Sequence, residues 1–320
     1  MLNRFIRPMA LLALCAATQV AAAAYPDKPI TLIVPWAPGG STDILARAIS
    51  QQLTITMGQP VIVENRPGAS GNIGAGMVAK AKPDGYTILI DTSTLAVNPS
   101  LMENMPFKGA EDFTPIAILA NVINTMVINP SVPAKTVGEF IAYAKANPGK
   151  LAYASAGSGS TNHLSAEMFK RAAGIEMLHV PYKGGAPAVL DTVANQTQVF
   201  FSAGTQTLPH VKAGKLTLLA VTEPKRTGLL PGVPAVAETL PGYNMSVWYG
   251  AYGPAGMPRE IVMRLNAEIA KALAVPDVRA RMDAMGVEVV SSSPEQLATT
   301  LRQDFERFGK IIKDLKIKLD

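Results

Sequence analysis

Thr31-Leu-Ile-Val-Pro-Trp-Ala-Pro-Gly-Gly-Ser-Thr-Asp43 carries three signals in one stretch. Its first residues are continuously apolar, as in a buried strand. Pro35 to Gly40 suits neither strand nor helix, and from Ile44 the apolar residues Leu45, Ala48, Ile49 and Leu53 recur at helical spacing. A strand, a small-residue loop and a helix therefore follow in order. Leu151-Ala-Tyr-Ala-Ser-Ala-Gly-Ser-Gly-Ser-Thr-Asn-His163 repeats the design ahead of a helix over Leu164 to Ala173.

Around these two junctions the chain alternates short strands and amphipathic helices. Strands are expected at Ile30 to Pro35, Val61 to Glu64 and Tyr86 to Asp91, and again at Thr125 to Ile128, Leu151 to Ser155, Met177 to Val180, Gln198 to Ser202 and Thr217 to Val221. Pro224 to Tyr243 reads as an irregular return crossing, followed by a strand at Trp248 to Tyr252 and helices to the C-terminus. This β/α alternation implies mostly parallel sheets with helices on both faces, hence an α/β fold. The expectation is two lobes, 25–125 plus 247–320 and 126–246, with a ligand cleft between them.

Composition narrows the function. The chain has 320 residues, 48% hydrophobic and 17% charged, enough for a sizeable core and far from disorder or coiled coil. Residues 1–24 read as a signal peptide: Arg4 and Arg7 lead, Met9 to Val20 is apolar, and Ala22-Ala23-Ala24 is the cleavage site. No apolar run reaches the length a membrane helix needs. The one cysteine, Cys15, falls inside the signal core, so a mature chain has no thiol or disulfide chemistry. Its 27 basic and 24 acidic residues leave a charge of +3, scattered, which does not make a nucleic-acid footprint.

The two loops point to an anion. Each ends a strand and opens a helix whose first N–H groups lack internal partners. Gly39, Gly40, Gly157 and Gly159 let backbone approach a ligand closely, while Ser41, Thr42, Ser158, Ser160 and Thr161 offer hydroxyls. Neither loop holds Lys or Arg, which suits a carboxylate better than a phosphate. Either loop alone could be a tight turn with a helix cap; a matched pair, one per lobe, favours a ligand held at both ends. Asp43 fits a cap better than a ligand contact. His163 is either a donor to the ligand or a packed polar residue, and Trp36 and Trp248 are either an aromatic wall or core. Lys183, in Val180-Pro-Tyr-Lys-Gly-Gly-Ala-Pro187, lies nearest the loops and is placed at the cleft rim.

Other chemistries find no support. Gly71-Asn-Ile-Gly-Ala-Gly76 has the wrong glycine order for dinucleotide binding, and no GxSxG, HExxH or His/Cys metal spacing occurs. No catalytic residue, metal or cofactor is expected. A hydrolase using Ser158 or Ser160 with His163 is the enzymatic alternative, and a receptor signalling to a sensor kinase is another.

In this order the motifs resemble the Bug family, the periplasmic substrate-binding proteins of tripartite tricarboxylate transporters. The resemblance rests on Tyr25-Pro-Asp-Lys-Pro-Ile30, Val34 to Asp43, Val63-Glu-Asn-Arg-Pro-Gly-Ala69 with Gly71, Lys82-Pro-Asp-Gly-Tyr-Thr87 and Tyr153 to His163. It continues in Val180-Pro-Tyr-Lys-Gly184, Leu230-Pro-Gly-Val-Pro234 with Glu238, Trp248-Tyr-Gly250 and Gly253-Pro-Ala-Gly256. It implies a type II periplasmic binding protein fold whose lobes close by hinge motion on a small-molecule carboxylate. It also implies a monomer that passes the ligand to membrane permease subunits. The ligand contacts carried over are Trp36, Ala37, Pro38, Gly39, Gly40, Ser41, Thr42 and Asp43 from the first loop, and Ala156, Gly157, Ser158, Ser160, Thr161, Asn162 and His163 from the second. Ser93, Thr94, Ser202 and Ala203 are expected at further strand ends on the same crevice. Trp36 and the lack of Arg favour a mono- or dicarboxylate with an apolar or aromatic skeleton, such as terephthalate.

Overall fold

The structure, a computed structural model, describes residues 25–102 and 104–314; the expected signal peptide lies outside them. The strands are β1 (Ile30–Val34), β2 (Val61–Asn65), β3 (Thr87–Thr92), β4 (Phe113–Val122), β5 (Asn124–Ile128), β6 (Ala152–Ser155), β7 (Leu178–Pro181), β8 (Val199–Ala203), β9 (Thr217–Val221), β10 (Val247–Pro254) and β11 (Val287–Val289). The helices are α1 (Ser41–Met57), α2 (Asn72–Ala79), α3 (Thr94–Leu101), α4 (Val137–Ala146), α5 (Thr161–Ala173), α6 (Gly185–Val193), α7 (Gly204–Lys212), α8 (Arg259–Ala274), α9 (Pro276–Asp283) and α10 (Pro294–Asp314).

Two sheets form. One runs β11-β4-β10-β3-β1-β2, the other β7-β6-β8-β5-β9. The chain leaves the first sheet at Val122, enters the second at Asn124 and returns over residues 222–246. The sheets are mixed rather than mostly parallel. β1 pairs in parallel with β2 and β3, and β6 with β7 and β8. β10 instead runs antiparallel to β3 and β4, and β5 antiparallel to β8 and β9. The antiparallel strands β5 and β10 are the two that follow the crossings, so the hairpin-like direction is a product of changing sheets.

The apolar continuity of β1 has a direct cause. Leu32 and Val34 pack with Ile88, Ile90 and Ala251 on the face covered by α1 and α8. Ile33 and Leu89 pack with Tyr252, Leu301 and Phe308 on the face covered by α10. Each such buried side chain contributes about 1.5–3 kcal/mol. A strand covered on both faces has no polar positions to show.

Three elements were not expected from sequence: β4, α3 and α7. Each carries a proline inside, Pro115, Pro99 and Pro209 respectively. Pro115 is tolerated because β4 and β10 change register beside its partner Tyr252, where a ladder donor is dispensable.

Candidate functional site

The facing ends of the two sheets meet around a small cavity of about 40 Å3. Its walls come from both: Trp36, Gly40, Ser41, Thr42, Thr92, Thr94, Val247 and Tyr249 on one side, and Ala156, Ser160, Thr161, Asn162, Gly185, Ser202, Ala203 and Gln206 on the other. Asn124, the first residue after the crossing, joins them. No charged side chain is among these residues. Hydroxyls, amides and backbone supply all the polarity.

Five helices start on this cavity. α1 begins after Gly40, α3 after Ser93, α6 after Gly184 and α7 after Ala203, and none of the four has a side-chain cap. α4, which contributes nothing to the cavity, is capped by Thr136. The fifth, α5, is capped by Ser160, whose Oγ accepts from the His163 N–H at 3.3 Å and keeps its own proton to donate. α1, α6 and α7 thus present uncapped first turns to the cavity, whereas the Thr94 N–H of α3 donates to Thr92 Oγ1 at 3.1 Å and the Thr161 N–H of α5 to Thr94 Oγ1 at 3.2 Å; the converging helix starts make a positive field that favours an anion.

Trp36 is tied at the wall by Asp91, whose Oδ1 accepts from the indole Nε1 at 2.8 Å and from the Thr92 N–H at 2.7 Å. Burial pushes the Asp91 carboxyl up to about 7, outweighing those two hydrogen bonds. The acid beneath the cavity is therefore half-neutral near pH 7, and adds less opposing charge than a surface aspartate. Tyr249 donates to Ser41 Oγ at 2.6 Å, and its burial keeps the phenol protonated.

Among the residues expected from sequence, Trp36, Gly40, Ser41, Thr42, Thr94, Ala156, Ser160, Thr161, Asn162, Ser202 and Ala203 line the cavity. Others do not. Asp43 turns back into its own loop, where its carboxylate accepts from Gly39 N–H at 2.9 Å, Asn65 Nδ2 at 3.0 Å and Arg47 Nε at 3.0 Å. Burial alone would raise Asp43, but these donors overcome it and hold the carboxyl below its ordinary value. The Asp43–Arg47–Asn65 cluster braces the first loop, and Asn65 also donates to the Trp36 carbonyl at 3.1 Å. Pro38 and Gly39 are exposed, and Ala37 sits at the rim, where a Cβ on Gly184 would come within 3.0 Å of its nitrogen.

His163 also lies off the wall. Its Nδ1 accepts from the Gly159 N–H at 3.1 Å, and its ring stacks on His179 at 4.3 Å, which in turn stacks on Tyr153 at 4.9 Å. The ring therefore props the second loop from beneath. Ser93 is buried at the start of α3 without reaching the wall. Gly157 and Ser158 line an outer pocket of about 230 Å3, together with Ser70, Tyr182 and Lys183. Trp248 faces α10, donating to Asp304 Oδ2 at 2.6 Å.

Six wall residues escaped sequence reasoning: Thr92, Asn124, Gly185, Gln206, Val247 and Tyr249. Gln206 is the most telling. Ser202 Oγ donates to its Oε1 at 2.6 Å, which turns the amide Nε2 toward Gly40 of the opposite sheet. The glycine pair at 184 and 185 was visible, but not what it faces.

A chain that crosses twice between two α/β sheets, with a polar cavity between their facing ends, defines a two-lobed binding protein of the periplasmic type. It belongs to the TctC family, "Tripartite tricarboxylate transporter family receptor", which matches residues 45–317. The periplasmic binding protein BugD is 34% identical, with a TM-score of 0.88 covering 92% of this chain and 99% of that one. A protein of R. palustris solved with adipate is 35% identical, TM-score 0.88, covering 92% and 99%. MatC from Rhodopseudomonas palustris, with bound malate, is 31% identical, TM-score 0.84, covering 90% and 100%. The fold is that of a type II periplasmic binding protein, and the family is one of solute receptors.

Proposed function

We propose that this chain is a periplasmic solute receptor that captures a mono- or dicarboxylate between lobes 25–125 plus 247–320 and 126–246, closes over it, and delivers it to the permease of a tripartite transporter. The observation that carries the reading is the convergence of uncapped helix starts on a cavity without a charged wall. One carboxylate would be held by first-turn N–H groups of α1, by the hydroxyls of Ser41, Thr42, Ser160 and Thr161, and by the Gln206 amide. Each charge-assisted bond contributes about 1.5–3 kcal/mol. Related receptors carrying adipate and malate support the ligand class. Chemistry beyond binding is not part of the proposal. A hydrolytic role for Ser160 with His163 is disfavoured, because the imidazole Nδ1 is engaged by Gly159 and the Ser160 hydroxyl caps α5.

Closure is a population shift, driven only by the ligand's preference for the closed form. The test is thermal unfolding after unfolding and refolding to strip carried ligand, against linear, amino and aromatic carboxylates and their amides. Ligand at 100 times its Kd adds about 2.7 kcal/mol, which raises Tm by about 5–11 °C for a chain of this size. The expected result is a shift with a carboxylate, lost in its amide and reduced in Gln206→Glu, which sets charge against charge. Stabilisation by the amide equal to that by the acid overturns the anion site.

A further inference from the structure

We infer that the cavity selects a hydroxycarboxylate, with the side-chain oxygens of Asn124 and Asn162 receiving its hydroxyls. This rests on the receptor reading above and names the ligand's chemistry more closely.

Both carboxamides have a fixed orientation. Asn162 Nδ2 lies 2.6 Å from the Phe201 carbonyl, an oxygen that can only accept, so the Asn162 Oδ1 is on the other side. Asn124 Nδ2 donates to Thr222 Oγ1 at 2.9 Å and to Ser165 Oγ at 3.3 Å. The Thr222 proton is itself given to the Met245 carbonyl at 2.7 Å, so Thr222 must accept from the amide. Among the described residues no donor reaches either Oδ1. Neither oxygen is sealed within protein as Thr205 Oγ1 is, and both residues are buried on the cavity wall, so the cavity is the space onto which the two oxygens open. They belong to one patch, because the Ser165 that Asn124 reaches lies one turn along α5 from Asn162.

Elsewhere the wall offers donors. Ser41 accepts the Tyr249 proton and keeps its own to give, and Gln206, its Oε1 engaged by Ser202, presents Nε2. A carboxylate uses those donors and gains nothing from a carbonyl oxygen. An alkyl or aryl spacer would leave both asparagine oxygens facing carbon, each short of a hydrogen bond. A hydroxyl answers one of them. An ammonium would as well, but the helix starts that favour an anion oppose a cation, and no charged wall residue offsets them.

The experiment measures Kd by calorimetry for acids of one carbon skeleton: succinate, each stereoisomer of malate and tartrate, and aspartate. At least one hydroxy acid should bind about tenfold or more tightly than succinate, and aspartate should bind no tighter than succinate. Asn162→Ala, checked by a melting curve, should cut the ratio of that hydroxy acid to succinate at least threefold, whatever it does to absolute affinity. Succinate equal to every hydroxy acid in the wild type overturns the inference without recourse to a variant. A ratio undiminished in Asn162→Ala overturns the role of Asn162, and aspartate binding tighter than every hydroxy acid overturns the choice of hydroxyl. Each of these outcomes leaves the anion site standing, since the acids still bind. Absence of a thermal shift with every linear, amino and aromatic carboxylate overturns the receptor reading instead.

Discussion

Asp91 shows how one side chain can tie the wall of the cavity to pH. It is buried, it anchors Trp36, and its carboxyl is pushed up by desolvation to about 7 from 3.8. A carboxyl whose folded pKa is raised contributes its stability fully below the unfolded value and loses it as pH climbs through the folded one. The cost therefore appears between about pH 4 and 7 and is complete above that. Asp91→Asn keeps an Oδ1 acceptor for Trp36 and removes the charge. It should be more stable than wild type at pH 8, by about 1–3 kcal/mol, with the advantage gone at pH 4. Melting curves at the two pH values read this; an advantage independent of pH would contradict the buried-charge account. Ser160→Ala tests a different single atom. Losing the α5 cap costs about 1 kcal/mol of stability, and losing the ligand donor should weaken carboxylate binding by about tenfold, whereas a purely structural hydroxyl would lower Tm and spare Kd.

Among the elements, α6 is the one whose start is most finely fitted. A Cβ on Gly185 would stand 2.2 Å from Gln206 Oε1, so even a methyl group must push that amide aside. Gly185→Ala is expected to weaken carboxylate binding by about tenfold or more while shifting Tm by only a few degrees, since α6 itself favours alanine. Calorimetry beside a melting curve separates the two effects. What could be read from sequence divides along the same lines. The strands β1, β3, β6 and β8 and the loops that open α1 and α5 were legible because their signals are local, apolar runs ending in Gly, Ser and Thr, although both helices begin about a turn earlier, at Ser41 and Thr161, than the apolar spacing from Ile44 and Leu164 places them. β4, α3 and α7 were hidden by an internal proline each, a residue whose local meaning contradicts the element it occupies. Gln206, Tyr249 and Asn124 reach the cavity only through sheet pairing over long chain separations, which no spacing rule encodes.

For the whole molecule the decisive contacts are those between the lobes. Ser70 donates to the Ser158 carbonyl, and the Thr161 N–H donates to Thr94 Oγ1 at 3.2 Å, both across the cleft. Ser70 is presented by a turn in which Ala69 and Ser70 both take left-handed φ, 45° and 52°, a conformation that Asn98 supports by donating to the Ser70 carbonyl at 3.0 Å. Ser70→Ala removes one of these two contacts across the cleft. Carboxylate affinity should fall about 3- to 10-fold, and small-angle scattering should show the same compaction at saturating ligand as in wild type. An unchanged Kd would mean the contact adds nothing to closure. The crossing itself is tied by Asn124, whose N–H donates to Glu223 Oε1 at 2.8 Å while its side chain bonds Thr222 and Ser165. The four uncapped helix starts have a consequence for fidelity. On the proposed receptor reading, drawing the lobes together over nothing would strip water from most of these donors, so a vacant molecule would be discouraged from adopting the shape of a loaded one. In the receptor proposed above, occupancy would thereby be written into outward form, and a membrane partner reading only that shape would be spared most futile encounters.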